Sequence, residues 1–242
     1  MTKITISPTD RVFVLTGAGI SAESGLPTFR ASDGLWAGHR IEDVCTPEAL
    51  EADPWLVWQF YSMRRGDCAK AQPNAAHLAL AELEARLGDG FFLCTQNVDD
   101  LHERAGSTRL VHMHGELARS RCKDDCGRPP VEDRAVYKSL DEVAQCGCGA
   151  RLRPHICFFG EMPFDMPRIE REIANATVML VIGTSGSVYP AASFVNWARQ
   201  AGARTIYIGP ERPLNASAFT TIVEGNAGEV MPGLFEIEQR TR

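Results

Sequence analysis

The sequence predicts an α/β fold built on a largely parallel sheet, with a small cysteine-bearing insert. Three observations lead there. Short apolar runs that read as buried strands alternate with segments of helical period. The first run ends in a glycine-rich turn. Between Ser120 and Arg153 the apolar content falls, two prolines stand together and four cysteines cluster, so this stretch is not sheet core.

The elements follow in order. Arg11 to Thr16 (RVFVLT) is a strand that stops at Gly17. Asp53-Pro54 supplies an N-cap with proline in the first helical position and opens a helix through about Ala69. A second helix, opened by Pro73 and stopped near Gly88, carries Ala76, Leu80, Leu83 and Leu87 at helical spacing. Phe91 to Thr95 and Leu110 to Met113 are strands. After the insert, Val178 to Ile182 is a strand, Pro190 to Gln200 a helix and Thr205 to Ile208 a strand. A short terminal helix spans about Ala227 to Glu236.

At 242 residues the chain suits one large domain or one domain with an insert. Hydrophobic residues at 44% and charged residues at 23% exclude a disordered or fibrous chain. A membrane span needs about 20 apolar residues in a row, and the longest runs are far shorter. The net charge of −6 and the lack of a basic run speak against nucleic acid as a partner. The start, MTKITISPTD, lacks the apolar stretch of a secretory signal, so the expected location is cytoplasmic. For such a chain, clustered cysteines point to metal ligation rather than disulfides.

Gly17-Ala18-Gly19-Ile20-Ser21-Ala22 fits the G-x-G-x-x-G/A dinucleotide pattern directly after a strand. Glycines allow backbone N–H groups to approach a pyrophosphate, although the same residues also make a tight ligand-free turn. Gly25 and Pro27 interrupt the helix that should follow, so Gly25 to Trp36 reads as a loop over a ligand, bringing Phe29 and Arg30 toward it. Thr95, Gln96, Asn97 and Asp99 crowd the carboxyl end of the strand from Phe91, where ligands of open α/β sheets bind; a polar capping loop is the plainer alternative. His114 lies two residues from His112, on the same face of a strand and at its end, followed by Gly115. An imidazole there is a candidate general base, and His39, His77, His102 and His155 are read as structural. Cys122 and Cys126 form one close pair, Cys146 and Cys148 another. Two such pairs suit a tetrahedral zinc site of four thiolates with no open position, hence one structural ion; four free thiols are the alternative.

Several of these motifs together resemble the sirtuins, the NAD-dependent protein lysine deacylases. GAGISAESGLPTFR (Gly17 to Arg30) is similar to their signature, Thr95-Gln96-Asn97-Val98-Asp99 to their TQNVD motif, His114-Gly115 to their catalytic histidine pair, and Gly183-Thr184-Ser185 to their GTS motif. The likeness runs over nearly the whole chain in the family's order, and is closest to the bacterial branch that removes acetyl and succinyl groups.

The resemblance implies a Rossmann-like, doubly wound parallel sheet. Residues 1–40, 88–115 and 176–242 would form its NAD-binding part, 41–87 a helical insert and 116–160 a small zinc-binding insert, all in one domain. It implies that Gly17, Ala18, Gly19 and Ser21 line the pyrophosphate with Arg30 near it, and that Gln96, Asn97 and Asp99 hold nicotinamide and its ribose. Ala22, Thr28, Phe29, Trp36 and Val98 join the NAD site, as do Gly183, Thr184 and Ser185 on the adenosine side. Ala227 resembles the family's residue near the adenine. The family has asparagine where Gly209 stands, so ribose contacts are left to backbone or to Glu211 in Gly209-Pro210-Glu211, with weaker NAD binding expected. The family's chemistry has the acyl oxygen of a modified lysine attack the ribose carbon as nicotinamide leaves, His114 taking a proton from a ribose hydroxyl. Asn97 and Asp99 complete that catalytic set, and the products are free lysine, nicotinamide and O-acyl-ADP-ribose.

An acylated protein or peptide would lie as a strand between Phe158-Phe159-Gly160-Glu161 and Gly186-Ser187-Val188-Tyr189, with Phe159, Gly160, Glu161 and Val188 in contact. Tyr61 and Arg64 share a helix face and match the Y-x-x-R pattern of desuccinylating sirtuins, in which an arginine fork and a phenol grip a carboxylate. Arg65, equally basic, makes a merely solvated Arg64 the local alternative. The protein is expected to act as a monomer. Three other readings stand beside this one: a nicotinamide-dependent dehydrogenase, a mono-ADP-ribosyltransferase and a non-catalytic, NAD-sensing zinc module.

Overall fold

The computed structural model describes residues 3–28 and 35–238. In chain order its strands begin with β1 (Ile4–Ile6), β2 (Val12–Thr16), β3 (Leu35–Trp36) and β4 (His39–Arg40). Four helices follow: α1 (Ile41–Val44), α2 (Pro47–Ala52), α3 (Pro54–Lys70) and α4 (Ala75–Leu87). Next come β5 (Phe91–Thr95), α5 (Leu101–Arg104), β6 (Leu110–His112), β7 (Gly115–Cys122), β8 (Val131–Glu132) and β9 (Leu152–Ile156). The chain closes with α6 (Met166–Ala174), β10 (Val178–Ile182), α7 (Ala191–Gln200), β11 (Arg204–Gly209), β12 (Thr221–Glu224), α8 (Ala227–Val230) and β13 (Phe235–Ile237).

Six strands form one parallel sheet in the order β12-β11-β10-β2-β5-β6. β2 pairs with β5 on one side and with β10 on the other, so the winding reverses between β2 and β10. In open α/β sheets that reversal opens a crevice at the carboxyl ends of the two strands. Side chains alternate between the faces, as the pleat requires. Val12, Val14, Leu180 and Ile182 pack under α4 through Ala76, Leu80 and Leu83, while Phe13, Leu15, Met179 and Val181 pack under α6 and α7 through Ile169, Ile173, Phe194 and Val195. Burying each of the larger aliphatic side chains contributes about 1.5–3 kcal/mol relative to exposure.

Asp53 caps α3 as its sequence indicates, its carboxylate accepting the Leu56 N–H at 2.9 Å. Within 41–87 the chain divides its packing. Residues of α1 to α3 bury Val44, Leu50, Val57 and Phe60 against Leu117, Ile156 and Phe158, whereas α4 belongs to the sheet layers. The insert is a three-stranded antiparallel sheet, β8-β7-β9, whose Leu152 and the nearby Val143 pack on Trp58 of α3.

Four expectations are corrected. Pro73 does not open α4; Asn74 does, its side chain accepting the Ala76 N–H at 2.9 Å. Pro190 is the N-cap of α7 rather than its first residue. The terminal helix stops at Val230 before Pro232-Gly233, and Phe235–Ile237 runs instead as a strand beside β1. Finally, β6 ends at His112, so Met113 and His114 lie in a turn.

Candidate active site at the carboxyl edge of the sheet

The turns after β2 and β10 touch backbone to backbone. Gly17 N–H donates to Ile182 O at 3.0 Å and Gly19 N–H to Gly183 O at 2.8 Å. A Cβ on Gly19 would lie 2.8 Å from Gly183 Cα, and Gly183 itself holds φ +62° against Gly19. These glycines therefore serve the close approach of two loops, and two of the N–H groups expected to face a phosphate are already used. Ala18–Ser24 forms a short 3₁₀ helix with Ser21 buried and Ala22 on the surface, ended by Gly25 at φ +83°. Thr28 is half-buried; Phe29 and Arg30 lie outside the described residues. Trp36 packs edge-on against Phe60 and Tyr61.

The polar end of β5 folds over that 3₁₀ helix. Asn97 Nδ2 donates to Ser21 Oγ at 3.1 Å, and Ser21 Oγ donates to Asp99 Oδ2 at 3.1 Å. Asp99 Oδ1 accepts the Leu101 N–H at 3.2 Å. Burial raises the Asp99 carboxyl above its ordinary range, although these donors pull the other way. Gln96 Nε2 reaches Thr184 Oγ1 at 3.2 Å and joins the two turns across the crevice. Val98 is buried toward α3, and its carbonyl accepts the Leu117 N–H at 2.8 Å. Behind Ser21 stands His77, whose Nε2 is 3.5 Å from Ser21 Oγ, and His102 packs on His77 while meeting Thr16 Oγ1 at 3.0 Å. Sequence reasoning left this buried polar chain unseen; the one signal was histidine and threonine among strand and helix residues that should be apolar.

His112 is the last residue of β6, and His114 lies in the turn after it. His112 Nδ1 bonds Asn97 O at 2.9 Å and its Nε2 meets Glu103 at 2.7 Å. Burial opposes its charge, yet the hydrogen bond and charge of Glu103 hold its pKa above the usual value. His114 Nδ1 instead meets Gln96 O at 3.2 Å. A carbonyl only accepts, so Nδ1 carries the proton and Nε2 keeps its lone pair. Burial lowers the His114 pKa to about 4, the Gln96 bond opposing only in part. A neutral imidazole thus stands against the Gln96 carbonyl, its Nε2 without a hydrogen-bond partner among the described residues.

Tyr61 and Arg64 are both buried. Tyr61 Oη donates to Cys45 Sγ at 3.2 Å, and Arg64 lies over the Trp36 ring, 5.2 Å from its centroid. Arg64 Nε and Nη1 are buried and have no hydrogen-bond partner among the described residues. Solvation does not explain this arginine. Nearby, Glu161 accepts the Phe158 N–H at 2.7 Å and the Arg153 Nη1 at 2.6 Å, which fixes the turn through Gly160 (φ +90°). The Phe159 N–H donates to Cys45 O at 3.0 Å, and the Phe159 ring stands out from this turn, 44% exposed. In the loop after β10, Val188 O accepts the Ala192 N–H at 2.8 Å and Tyr189 is 76% exposed.

In the loop after β10, Ser185 Oγ and Ser187 Oγ are 2.6 Å apart. Ala227 is buried at the start of α8, and Pro210 and Glu211 are exposed past the end of β11. Gly209 is more constrained than expected. A Cβ there would overlap the Tyr207 hydroxyl and lie 2.8 Å from Tyr207 Cζ.

The sulfur atoms of Cys122, Cys126, Cys146 and Cys148 all lie within 4.8 Å of one another, with Cys122 to Cys148 and Cys126 to Cys146 at 3.5 Å. Four thiolates at the usual ~2.3 Å from zinc stand about 3.8 Å apart by tetrahedral geometry, so the cluster fits one ion with no open position. Among the described residues no helix is long and apolar enough to cross a membrane.

The fold and this edge define a class: a doubly wound α/β protein with polar side chains gathered at the carboxyl edge of its sheet and a four-cysteine module. Residues 17–190 match the Sir2 family, and the chain belongs to that family. It is 50% identical over 229 residues to an NAD-dependent protein deacylase of Caulobacter vibrioides, covering 93% of this chain and 95% of the relative. A crystal structure of a Sir2 homolog–NAD complex superposes with a TM-score of 0.85 at 44% identity, covering 94% of this chain and 89% of that one. Sir2Tm bound to a propionylated peptide superposes at 0.78 and 28% identity, covering 93% and 92%.

Proposed function

We propose that this protein is an NAD-dependent protein lysine deacylase that removes acetyl and succinyl groups, with His114 as general base. The observation that carries the reading is the His114 imidazole, kept neutral by burial and donating from Nδ1 to the Gln96 carbonyl, which leaves the Nε2 lone pair for a proton. General bases work best with a proton-free nitrogen at working pH.

The donor set fits the dinucleotide. Asp99 has acceptor capacity left beyond Ser21 and Leu101, enough for a carboxamide N–H. Asn97 and Gln96 line the same pocket. Ala18, Ser21 and Ala22, with Gly17 and Gly19 giving close approach, would hold the pyrophosphate, and Thr28, Trp36 and Val98 would close over it. Gly183 to Ser185, Gly209 to Glu211 and Ala227 would hold the adenosine side. Bound NAD supplies a ribose carbon from which nicotinamide departs, in exchange for the acyl oxygen. His114 Nε2 would take the proton from a ribose hydroxyl, and its Nδ1 bond to Gln96 would keep the ring in register. Residues 1–40, 88–115 and 176–242 would make up this NAD-binding part, with the remaining segments serving the peptide and the metal.

For succinyl-lysine, a terminal carboxylate would satisfy Arg64 Nε and Nη1, which lie buried without partners among the described residues. Tyr61 now donates to sulfur, a weak acceptor, and a carboxylate would replace it at little cost. Four cysteines gathered as zinc ligands are in keeping with a reducing compartment such as the cytoplasm.

The test offers acetylated and succinylated peptides with NAD to wild type, His114→Ala and Arg64→Met. Wild type should release nicotinamide and O-acyl-ADP-ribose without forming NADH. His114→Ala should lose at least about 100-fold on both substrates. Arg64→Met should lose about 100-fold on the succinyl peptide and far less on the acetyl peptide. NADH formation would make the protein a dehydrogenase, and label retained on protein from NAD would make it an ADP-ribosyltransferase. Equal losses on both peptides would remove carboxylate recognition from Arg64.

A further inference from the structure

Strand β11 ends in Tyr207-Ile208-Gly209, and residues 207 and 209 point to the same sheet face. The Tyr207 ring is buried there with Leu15, Val181 and Ala218, and its centroid is 5.4 Å from that of Phe219. Packing against these residues holds the ring in place. Its hydroxyl passes over Gly209, in the volume a side chain at 209 would need, and ends 3.4 Å from Thr184 O. That is long for an O–H···O bond, which prefers about 2.7–2.8 Å, so the phenol proton is weakly engaged. Thr184 is itself pinned, its Oγ1 accepting from Gln96 Nε2 at 3.2 Å. A donor on a fixed ring thus stands between the turn after β10 and the turn after β11.

We infer that the Tyr207 hydroxyl is the side-chain donor to the adenosine-side ribose of NAD, in place of any side chain at Gly209. This rests on the deacylase reading above. Gly209 is then half of a two-residue arrangement, a glycine that makes room for the phenol rather than a missing contact. The weaker NAD binding expected from a bare Gly209 does not follow, because a pre-positioned donor occupies the same volume. A ribose oxygen at ordinary hydrogen-bond distance outcompetes the long contact to Thr184 O, and the ring loses no rotamer freedom on binding. Glu211, exposed beyond the strand, can only accept while ionised and therefore cannot serve as this donor.

Calorimetric titration of NAD and ADP-ribose into wild type and Tyr207→Phe tests this. Tyr207→Phe should weaken both ligands about tenfold and raise KM for NAD without raising KM for the acyl-peptide. NAD analogues lacking the 2′- or 3′-hydroxyl of the adenosine ribose should include one that binds wild type more weakly, yet binds Tyr207→Phe no worse than NAD does. Gly209→Ala, which leaves the hydroxyl but pushes it aside, should weaken binding as well and serves should Tyr207→Phe prove unstable. Unchanged NAD binding by Tyr207→Phe, or a deoxy penalty that persists in it, overturns the inference while leaving the deacylase reading intact. Failure of wild type to bind NAD overturns both.

Discussion

Arg65 and Asp133 form an ion pair of 3.1 Å in which the side chains are only 3% and 9% exposed. The guanidinium also donates to Leu117 O at 2.8 Å, Ala135 O at 3.0 Å and Ser120 Oγ at 3.0 Å, fastening α3 to the insert. Arg64, its neighbour, holds Nε and Nη1 buried without partners among the described residues. Removing one member of a buried, fully bonded pair leaves the other uncompensated and costs about 3–5 kcal/mol. Arg65→Met should therefore lower the unfolding free energy by about 3 kcal/mol. Arg64→Met should change it by less than about 1 kcal/mol in either direction, since it deletes unsatisfied N–H groups. Denaturant titration of both variants decides the matter, and equal losses would assign Arg64 a structural duty.

Gly183→Ala should be among the most damaging single-methyl changes in the chain. The new Cβ would meet the Gly19 backbone at 2.7 Å, at a φ of +62° that disfavours any side chain. Both obstacles are backbone, so no rotamer relieves them. A loss of about 2–3 kcal/mol is expected from the clash and strain together. Gly25→Ala has φ +83° but open space around it, and should cost only about 1 kcal/mol. Thermal unfolding of the two variants side by side separates crowding from conformation, and an equal small loss in both would show that the two loops can part freely.

These contrasts bear on what the sequence could reveal. The strands β2, β5, β10 and β11 were legible because each is a continuous apolar run, as strands buried on both faces must be. β1 and β13 were not, since three residues carry too little period and their partner lies at the far end of the chain. β7 alternates buried and half-buried positions, yet its partner β9 lies beyond the cysteine loops, so its pairing left no local mark. Within the site, cysteine spacing and the run from Thr95 to Asp99 were readable. The difference between Arg64 and Arg65 was not, because both fall near one face of α3 and only the packing of β7 decides which is engaged. Tyr207 escaped for a related reason: its tie to Gly209 depends on where the ring lies along the strand, which no residue pattern encodes.

Metal removal should act on the insert first. The four-sulfur cluster holds the ends of the loop that leads into β9, and β9 carries Leu152 against Trp58. Tyr137 completes that contact, its ring 5.1 Å from the Trp58 indole. Elemental analysis of the purified protein should find about one zinc per chain. Chelation under denaturant-free conditions, or Cys148→Ser, should then change tryptophan fluorescence and open the region of 124–150 to protease while the parallel sheet stays resistant. Metal-free protein with an unaltered proteolytic pattern would show that the cysteines are not a structural zinc site.

Acid sensitivity follows from the buried histidines. His77 and His102 pack edge-on with ring centroids 4.9 Å apart and are fully buried. Burial lowers His77 to about 4 and carries His102 well below its ordinary value. Burial likewise lowers His114 and His155 to about 4, helped at His155 by the charges of Arg121, Arg119 and Arg153. In the unfolded chain each takes up a proton near pH 6.5, whereas the folded chain resists until about pH 4. The unfolded state therefore binds more protons across that window, and stability falls as pH drops through it, by up to about 1.4 kcal/mol per pH unit for each such histidine. His112 works the other way, because Glu103 raises its folded pKa. Partial exposure of His155 and structural relaxation reduce the sum, so a net loss of at least about 2 kcal/mol between pH 7.5 and pH 5 is expected from urea unfolding. Stability that stays level or rises over that range would mean that the His77–His102 pair takes up its protons without leaving the fold.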